Sequence, residues 1–241
     1  MAIDHRRVGV CHRHARERLV QTVGTGIHLA IKHLIHNRTG AQPPVQLDVI
    51  GIIHARQVLR RARDRRHHRL AVDATGLSRT TVSDYFTSRR GRKFRRWVKV
   101  GVVILTGSLL PVALAVDLKP THDCVQARAL LSQAQAASQP AKLYADAGYD
   151  AEWIHTQCRE QWGVASVIPT NPRRVASPVG GHWRSQMTPE YLAQQGYRQR
   201  WKVESFFSAL KRTMGSTLSA RQPKQMAAEA ALKVLAYALR R

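Results

Sequence analysis

One stretch limits the fold more than any other. Val100 to Val116, VGVVILTGSLLPVALAV, runs seventeen residues without a charge. A membrane-spanning helix needs about 20 apolar residues, and this run is interrupted by Gly107, Ser108 and Pro111. Val, Ile and Leu crowd both sides of the TGS turn, which is the pattern of two buried strands rather than of a helix. The spacing predicts strands over about 97–105 and 110–118, joined by a tight turn.

The elements around that hairpin follow from simpler cues. Leu70 to Ala74 is a short apolar run whose strand Asp73 closes, and Lys142 to Ala145 is another, closed by Asp146. Val164 to Pro169 reads as a fifth strand. Helical periodicity covers His122–Ala137, Ala151–Trp162 (with Gly163 placed to end it), about 190–214, and about 223–240. Thr170 to Pro189, rich in Gly, Pro and Ser, reads as a loop or small insertion. The order β, β, β, α, β, α, β, α, α predicts an α/β fold with a mixed five-stranded sheet flanked by helices.

Charge narrows the class of partner. The 241 residues hold 39 Lys and Arg against 15 Asp and Glu, a formal charge of +24. A polyanion, most often nucleic acid, is the expected partner. Three separated cysteines (Cys11, Cys124, Cys158) form no CxxC pair, so neither a zinc site nor a disulfide framework is expected. The charged N-terminus lacks the apolar core of a signal peptide; a cytoplasmic, nucleoid-associated protein with no membrane partner is expected.

Residues 1–66 stand apart from 67–241. No aromatic residue precedes Tyr85, and nine of the twelve His fall within the first 68 residues, without metal-ligand spacing. This short basic segment reads as a helical DNA-binding appendage, as a poorly ordered arm, or as sequence ahead of the true start.

The segment Tyr197–Lys211, YRQRWKVESFFSALK, carries the chemistry. At 100° per residue, Tyr197, Arg200, Glu204 and Lys211 share one arc of a helix, beside an apolar stripe of Val203, Phe207, Leu210 and Met214. Alone, Arg200 and Glu204 would be an ordinary i,i+4 pair. With Asp73 and Asp146 at apolar strands, they suggest three carboxylates that a divalent cation could draw together. Asp150, Asp123 and Asp117 are the rival acids; Asp150 reads as a helix cap, and His122–Asp123 as a helix start. SRRGRKFRR (88–96), in which six of nine residues are basic, reads as a phosphate-contacting loop. Trp183 and Trp201 read either as packing residues or as platforms for an unpaired base.

The spacing Y-x2-R-x3-E-x6-K at Tyr197, Arg200, Glu204 and Lys211 resembles the signature of insertion-sequence DDE transposases. AVDATGL around Asp73 and ADAGYD around Asp146 resemble the two Asp blocks of that family, and NPRR (171–174) is similar to its bacterial members. The likeness spans about residues 68–238. It implies an RNase-H-like catalytic domain with Asp73, Asp146 and Glu204 as catalytic metal ligands for Mg²⁺ or Mn²⁺, as two ions. It also implies metal-dependent cleavage at transposon ends followed by strand transfer. Tyr197, Arg200, Lys211, Arg92, Lys93, Arg95, Arg96, Arg173 and Arg174 would then contact double-stranded DNA, both terminal inverted repeats and target, with a homodimer holding two ends. The alternatives are a truncated transposase that only binds DNA or captures subunits, and another RNase-H-like nuclease.

Overall fold

The computed structural model describes residues 69–79, 97–119, 121–171 and 180–240. Residues 1–68, the basic loop with Arg92, Lys93, Arg95 and Arg96, and Arg173 and Arg174 lie outside the described residues.

The apolar run forms the expected hairpin. Strand β2 is Trp97–Leu105 and β3 is Pro111–Asp117, antiparallel to each other. Ahead of them, β1 is Arg69–Ser78; after them come α1 (Asp123–Ala137) and β4 (Lys142–Tyr144). A short helix α2 (Glu152–Thr156) continues as a π-helical turn over Gln157–Gln161, and the positive-φ Gly163 leads into β5 (Ala165–Val167). Helices α3 (Pro189–Gln194), α4 (Trp201–Met214) and α5 (Pro223–Arg240) close the chain. The sheet order is β3-β2-β1-β4-β5, antiparallel across β3, β2 and β1 and parallel across β1, β4 and β5. This is the mixed five-stranded α/β sheet expected from the order of elements.

Both faces of the sheet are buried, which explains why its central strands read as nearly continuous apolar runs. Leu70, Val72, Val103 and Leu143 face α1 and α2, meeting Leu130, Leu131, Ala134 and Ile154. Ala71, Val100, Val102, Ile104 and Tyr144 face α4 and α5, meeting Val203, Phe206, Phe207, Leu210, Val234 and Tyr237. Alternate residues therefore serve opposite layers, as the pleat requires. Helix α1 lies close on β2: a Cβ at Gly101 would come within 2.6 Å of Gln126 Oε1 and 2.9 Å of Leu130 Cδ1.

Two expectations need correction. Asp73 does not end its strand. β1 continues through ATGLS because β2 keeps pairing with it, with Leu77 fully buried. What ends near Asp73 is the parallel partnership with β4, whose last pair is Ala71 with Tyr144. Beyond it, Ser78 bonds the segment after α4: its N–H donates to the Ser216 carbonyl (2.9 Å), and Leu218 N–H donates to Ser78 O (2.8 Å). The single helix expected over 190–214 is also broken. Gly196 adopts φ 74°, ψ 39°, a left-handed conformation that suits glycine, and Tyr197–Arg200 form a 3₁₀ turn before α4 starts. The Gln195 carbonyl at the break accepts from Tyr144 Oη (2.9 Å) and Lys142 Nζ (3.3 Å), which ties it to β4. Tyr197 thus stands off the α4 helical wheel, although it still packs on the α4-side core.

Candidate active site

The register of β1 and β4 places two acids side by side. Ala71 pairs with Tyr144, and Asp73 and Asp146 each follow two residues later, Asp73 still within β1 and Asp146 just past the end of β4. Asp73 Oδ1 accepts from the Ala74 N–H (2.7 Å), while Oδ2 lies 3.5 Å from Arg200 Nη1. Asp146 caps a 3₁₀ turn over Ala147–Tyr149, with Oδ1 accepting from the Gly148 N–H (2.8 Å). Burial pushes Asp73 up to about 6. The Ala74 N–H and Arg200 pull it back, and the Asp146 and Asp123 charges add to the rise. Asp146 is raised too, chiefly by burial, against the hydrogen bond from Gly148. Asp146 raises Asp73 and Asp123 raises both, and desolvated carboxylates crowded in this way are a place where a cation is favoured.

Arg200 connects these acids to Glu204. Its guanidinium reaches Asp73 on one side and makes a close ion pair with Glu204 on the other. Glu204 lies in the first turn of α4 with a half-exposed side chain. Tyr197 completes the group. Burial pushes its hydroxyl up to about 12; Arg200 opposes this, and Asp146, Glu204 and Asp73 reinforce it. So Asp73, Asp146, Tyr197, Arg200 and Glu204 come from three separate stretches of chain into one neighbourhood. Lys211 sits on α4 about 10 Å further along the helix axis than Glu204, at 1.5 Å per residue.

The rival acids have other partners. Asp150 was expected to cap α2, but Ala151 holds that position. Asp150 is buried and gripped by the Arg184 fork (2.6 and 2.8 Å) and by the Asn171 N–H (2.8 Å). Burial raises its carboxyl, and these bonds outweigh that and leave it below the ordinary range. Asp117 Oδ2 accepts from the Thr121 hydroxyl (2.8 Å). Asp123 is the surprise. It is the first residue of α1, with His122 at the cap position, and it pairs through Oδ1 with Lys99 Nζ at 2.7 Å. A Cβ on Gly148 would lie 2.5 Å from Asp123 Oδ2 and 2.9 Å from Asp146 Oδ1, so both oxygens face the same glycine.

The two tryptophans differ. Trp183 is partly buried; its Nε1 donates to Glu160 (2.8 Å), and Arg159 lies over its ring. Trp201, where packing was the simpler expectation, is half exposed at the start of α4, with Lys202 Nζ against its ring at 4.5 Å.

The donors fit a hard divalent cation, though not in one closed cage. Among the described residues no three His, Cys, Asp or Glu side chains group so as to hold a metal ion, and Glu204 is paired with Arg200. The fit rests on oxygen chemistry. It rests also on the Tyr149 hydroxyl, buried and without a hydrogen-bond partner among the described residues. That hydroxyl is raised well above the ordinary range, first by burial and then by Asp123, Asp73 and Asp146.

Among the described residues no helix is long and apolar enough to cross a membrane. No individual curated protein matches the chain. Residues 64–239, nearly three quarters of the sequence, match the transposase DDE domain. With its mixed five-stranded sheet in RNase-H-like order, the chain belongs to the transposase DDE domain family.

Proposed function

We propose that this protein is the transposase of an insertion sequence, which binds transposon-end DNA and carries out metal-dependent phosphodiester cleavage and strand transfer. The observation that carries the reading is the matched position of Asp73 and Asp146, two residues past the last β1–β4 pair. Glu204 is linked to Asp73 through Arg200 on the layer above. Asp73, Asp146 and Glu204 would hold Mg²⁺ or Mn²⁺, as two ions. Bound there, the cations supply activation of the attacking oxygen and stabilisation of the leaving one.

The protein's own groups do the rest. Partial burial at Asp73 and Asp146 thins the water around them and strengthens each charge interaction inside the site. Arg200 neutralises Asp73 and Glu204 in the protein alone; with DNA present its guanidinium turns to a phosphate, for which its fork is suited. That release frees Glu204 to join the two Asp residues. Tyr197 holds a neutral hydroxyl beside the acids, a donor for a phosphate oxygen. Lys211, Arg92, Lys93, Arg95, Arg96, Arg173 and Arg174 extend the phosphate contacts along the duplex. Two transposon ends require at least a dimer during the reaction.

A second reading, a protein that occupies DNA or captures subunits without cutting it, draws on Glu204 being held by Arg200. One experiment separates the two. The protein and its Glu204→Gln variant are incubated with labelled DNA from the flanks of the gene, with Mg²⁺ or Mn²⁺. Nicks at a defined end, reduced at least 1000-fold in the variant while DNA binding persists, are expected, since removing a group that acts in a catalytic unit costs orders of magnitude. Binding without nicks in either protein establishes the second reading.

A further inference from the structure

One acid beside the proposed cation site is left without a part in it. Asp123 spends one oxygen on Lys99; the other, Oδ2, lies against Gly148, as Asp146 Oδ1 does. The two oxygens lie no further apart than those two contact distances laid end to end. Asp146 Oδ1 accepts the Gly148 N–H, and the Lys99 pair engages the other oxygen of Asp123, Oδ1. The next residue, Tyr149, buries its hydroxyl without a partner among the described residues. Two carboxylate oxygens against one glycine, with an orphaned buried hydroxyl on the next residue, leave hydrogen-bonding capacity to be met.

We propose that Asp123 is a positioning residue of this site, whose Oδ2 accepts hydrogen bonds from the hydration shell of a divalent cation seated at Asp146. The inference rests on the functional reading above. A small hard cation keeps several waters when bound. Each is a strong donor that needs an acceptor beside the ligand, and Asp123 Oδ2 is placed for that. Lys99 fixes the carboxylate. Its ammonium is buried on β2, donates to Thr121 O at 2.5 Å, and holds Asp123 Oδ1. Two close contacts set the geometry: α1 rests against Gly101, and Cys124 Sγ donates to the Gly148 carbonyl (3.2 Å), tying the start of α1 to the turn after Asp146. A purely structural ion pair would need only the oxygen that faces Lys99.

The test is Mn²⁺ affinity of the full-length protein without DNA, read by electron paramagnetic resonance, with thermal melting as the folding control. Asp123→Asn is expected to weaken Mn²⁺ binding 10- to 100-fold, the usual scale for a group that orients a metal site from just outside it. That variant strands a buried ammonium, which can unfold the protein. The double variant Lys99→Met with Asp123→Leu removes both charges, leaves the net charge unchanged, and is expected to show the same weakening. Asp146→Asn is the reference and should lose binding. A folded double variant that binds Mn²⁺ like the parent, while Asp146→Asn does not, overturns the role of Asp123 and leaves the functional reading standing. A parent that binds no Mn²⁺, or an Asp146→Asn variant that binds normally, overturns both.

Discussion

At Asp73, burial and function pull in opposite directions. Its folded pKa of about 6 lies above the ordinary carboxyl value, so the folded state holds the proton more tightly than the unfolded chain does. Stability therefore falls as pH rises from about 4 to about 6, by up to roughly 3 kcal/mol. Asp73→Asn should melt higher than the parent at pH 7 in metal-free buffer, with the gap closing below about pH 4. His155 acts with the opposite sign. It is fully buried, with Nδ1 against Ser166 Oγ at 2.8 Å, and burial pushes it down to about 4. The unfolded chain binds the extra proton between about 4 and 6.5, so stability present at neutral pH is lost as pH falls through that window. His155→Gln should lower stability at pH 7 yet lose less of it between pH 7 and 4. Urea midpoints at several pH values for both variants separate the two effects, which partly cancel in the parent. Asp73 stood out in the sequence because an apolar run surrounds it. Lys99 did not, because a single Lys in WVKVGVV looks like a strand residue facing water, and Asp123 read only as a rival acid at a helix start. The burial of Lys99 follows from α1 lying over β2, a contact between segments more than twenty residues apart.

The elements show the same division between local and distant causes. The β2–β3 hairpin was legible almost to the residue, since the uncharged run and its turn are self-contained. The break between α3 and α4 was not. Helical periodicity runs across it, and a lone glycine is a weak breaker, costing about 1 kcal/mol in a helix. The break is held from outside, by Tyr144 and Lys142 of β4 on the Gln195 carbonyl. Gly196→Ala should cost about 1–2 kcal/mol, the penalty for a side chain in the left-handed region. Chemical denaturation would measure it, and an unchanged midpoint would show that the turn can relax into continuous helix. The break also decides where Tyr197 and Arg200 stand. A continuous helix would carry Tyr197 on the wheel of Glu204, whereas the 3₁₀ turn brings it in near Asp73 and Asp146.

Across the whole molecule the positive charge is unevenly spread. The described residues hold 17 Lys and Arg against 10 Asp and Glu, leaving most of the +24 to the remaining 95 residues. If the DNA groove draws on both parts, binding engages many phosphates and is steeply salt-dependent. Affinity should fall by roughly 10³ or more between 50 and 200 mM salt for six or more contacts. A fluorescence-anisotropy titration at four salt concentrations measures the slope, and a flat response would argue against a basic groove. Over the same span, α5 works as a clamp: Lys233 Nζ donates to the Met214 and Thr217 carbonyls (2.7 and 2.8 Å), and Glu229 accepts from Ser219 and Ala220. Its apolar face covers α4 through Val234 and Tyr237. In a decaying gene this matters. A stop codon after Lys211 but before Glu229 would leave all three acids and the whole Y-R-E-K spacing readable, while removing the helix that seats α4 on the sheet. Such a copy would look intact to a motif search and yet encode a chain unable to hold its own site together.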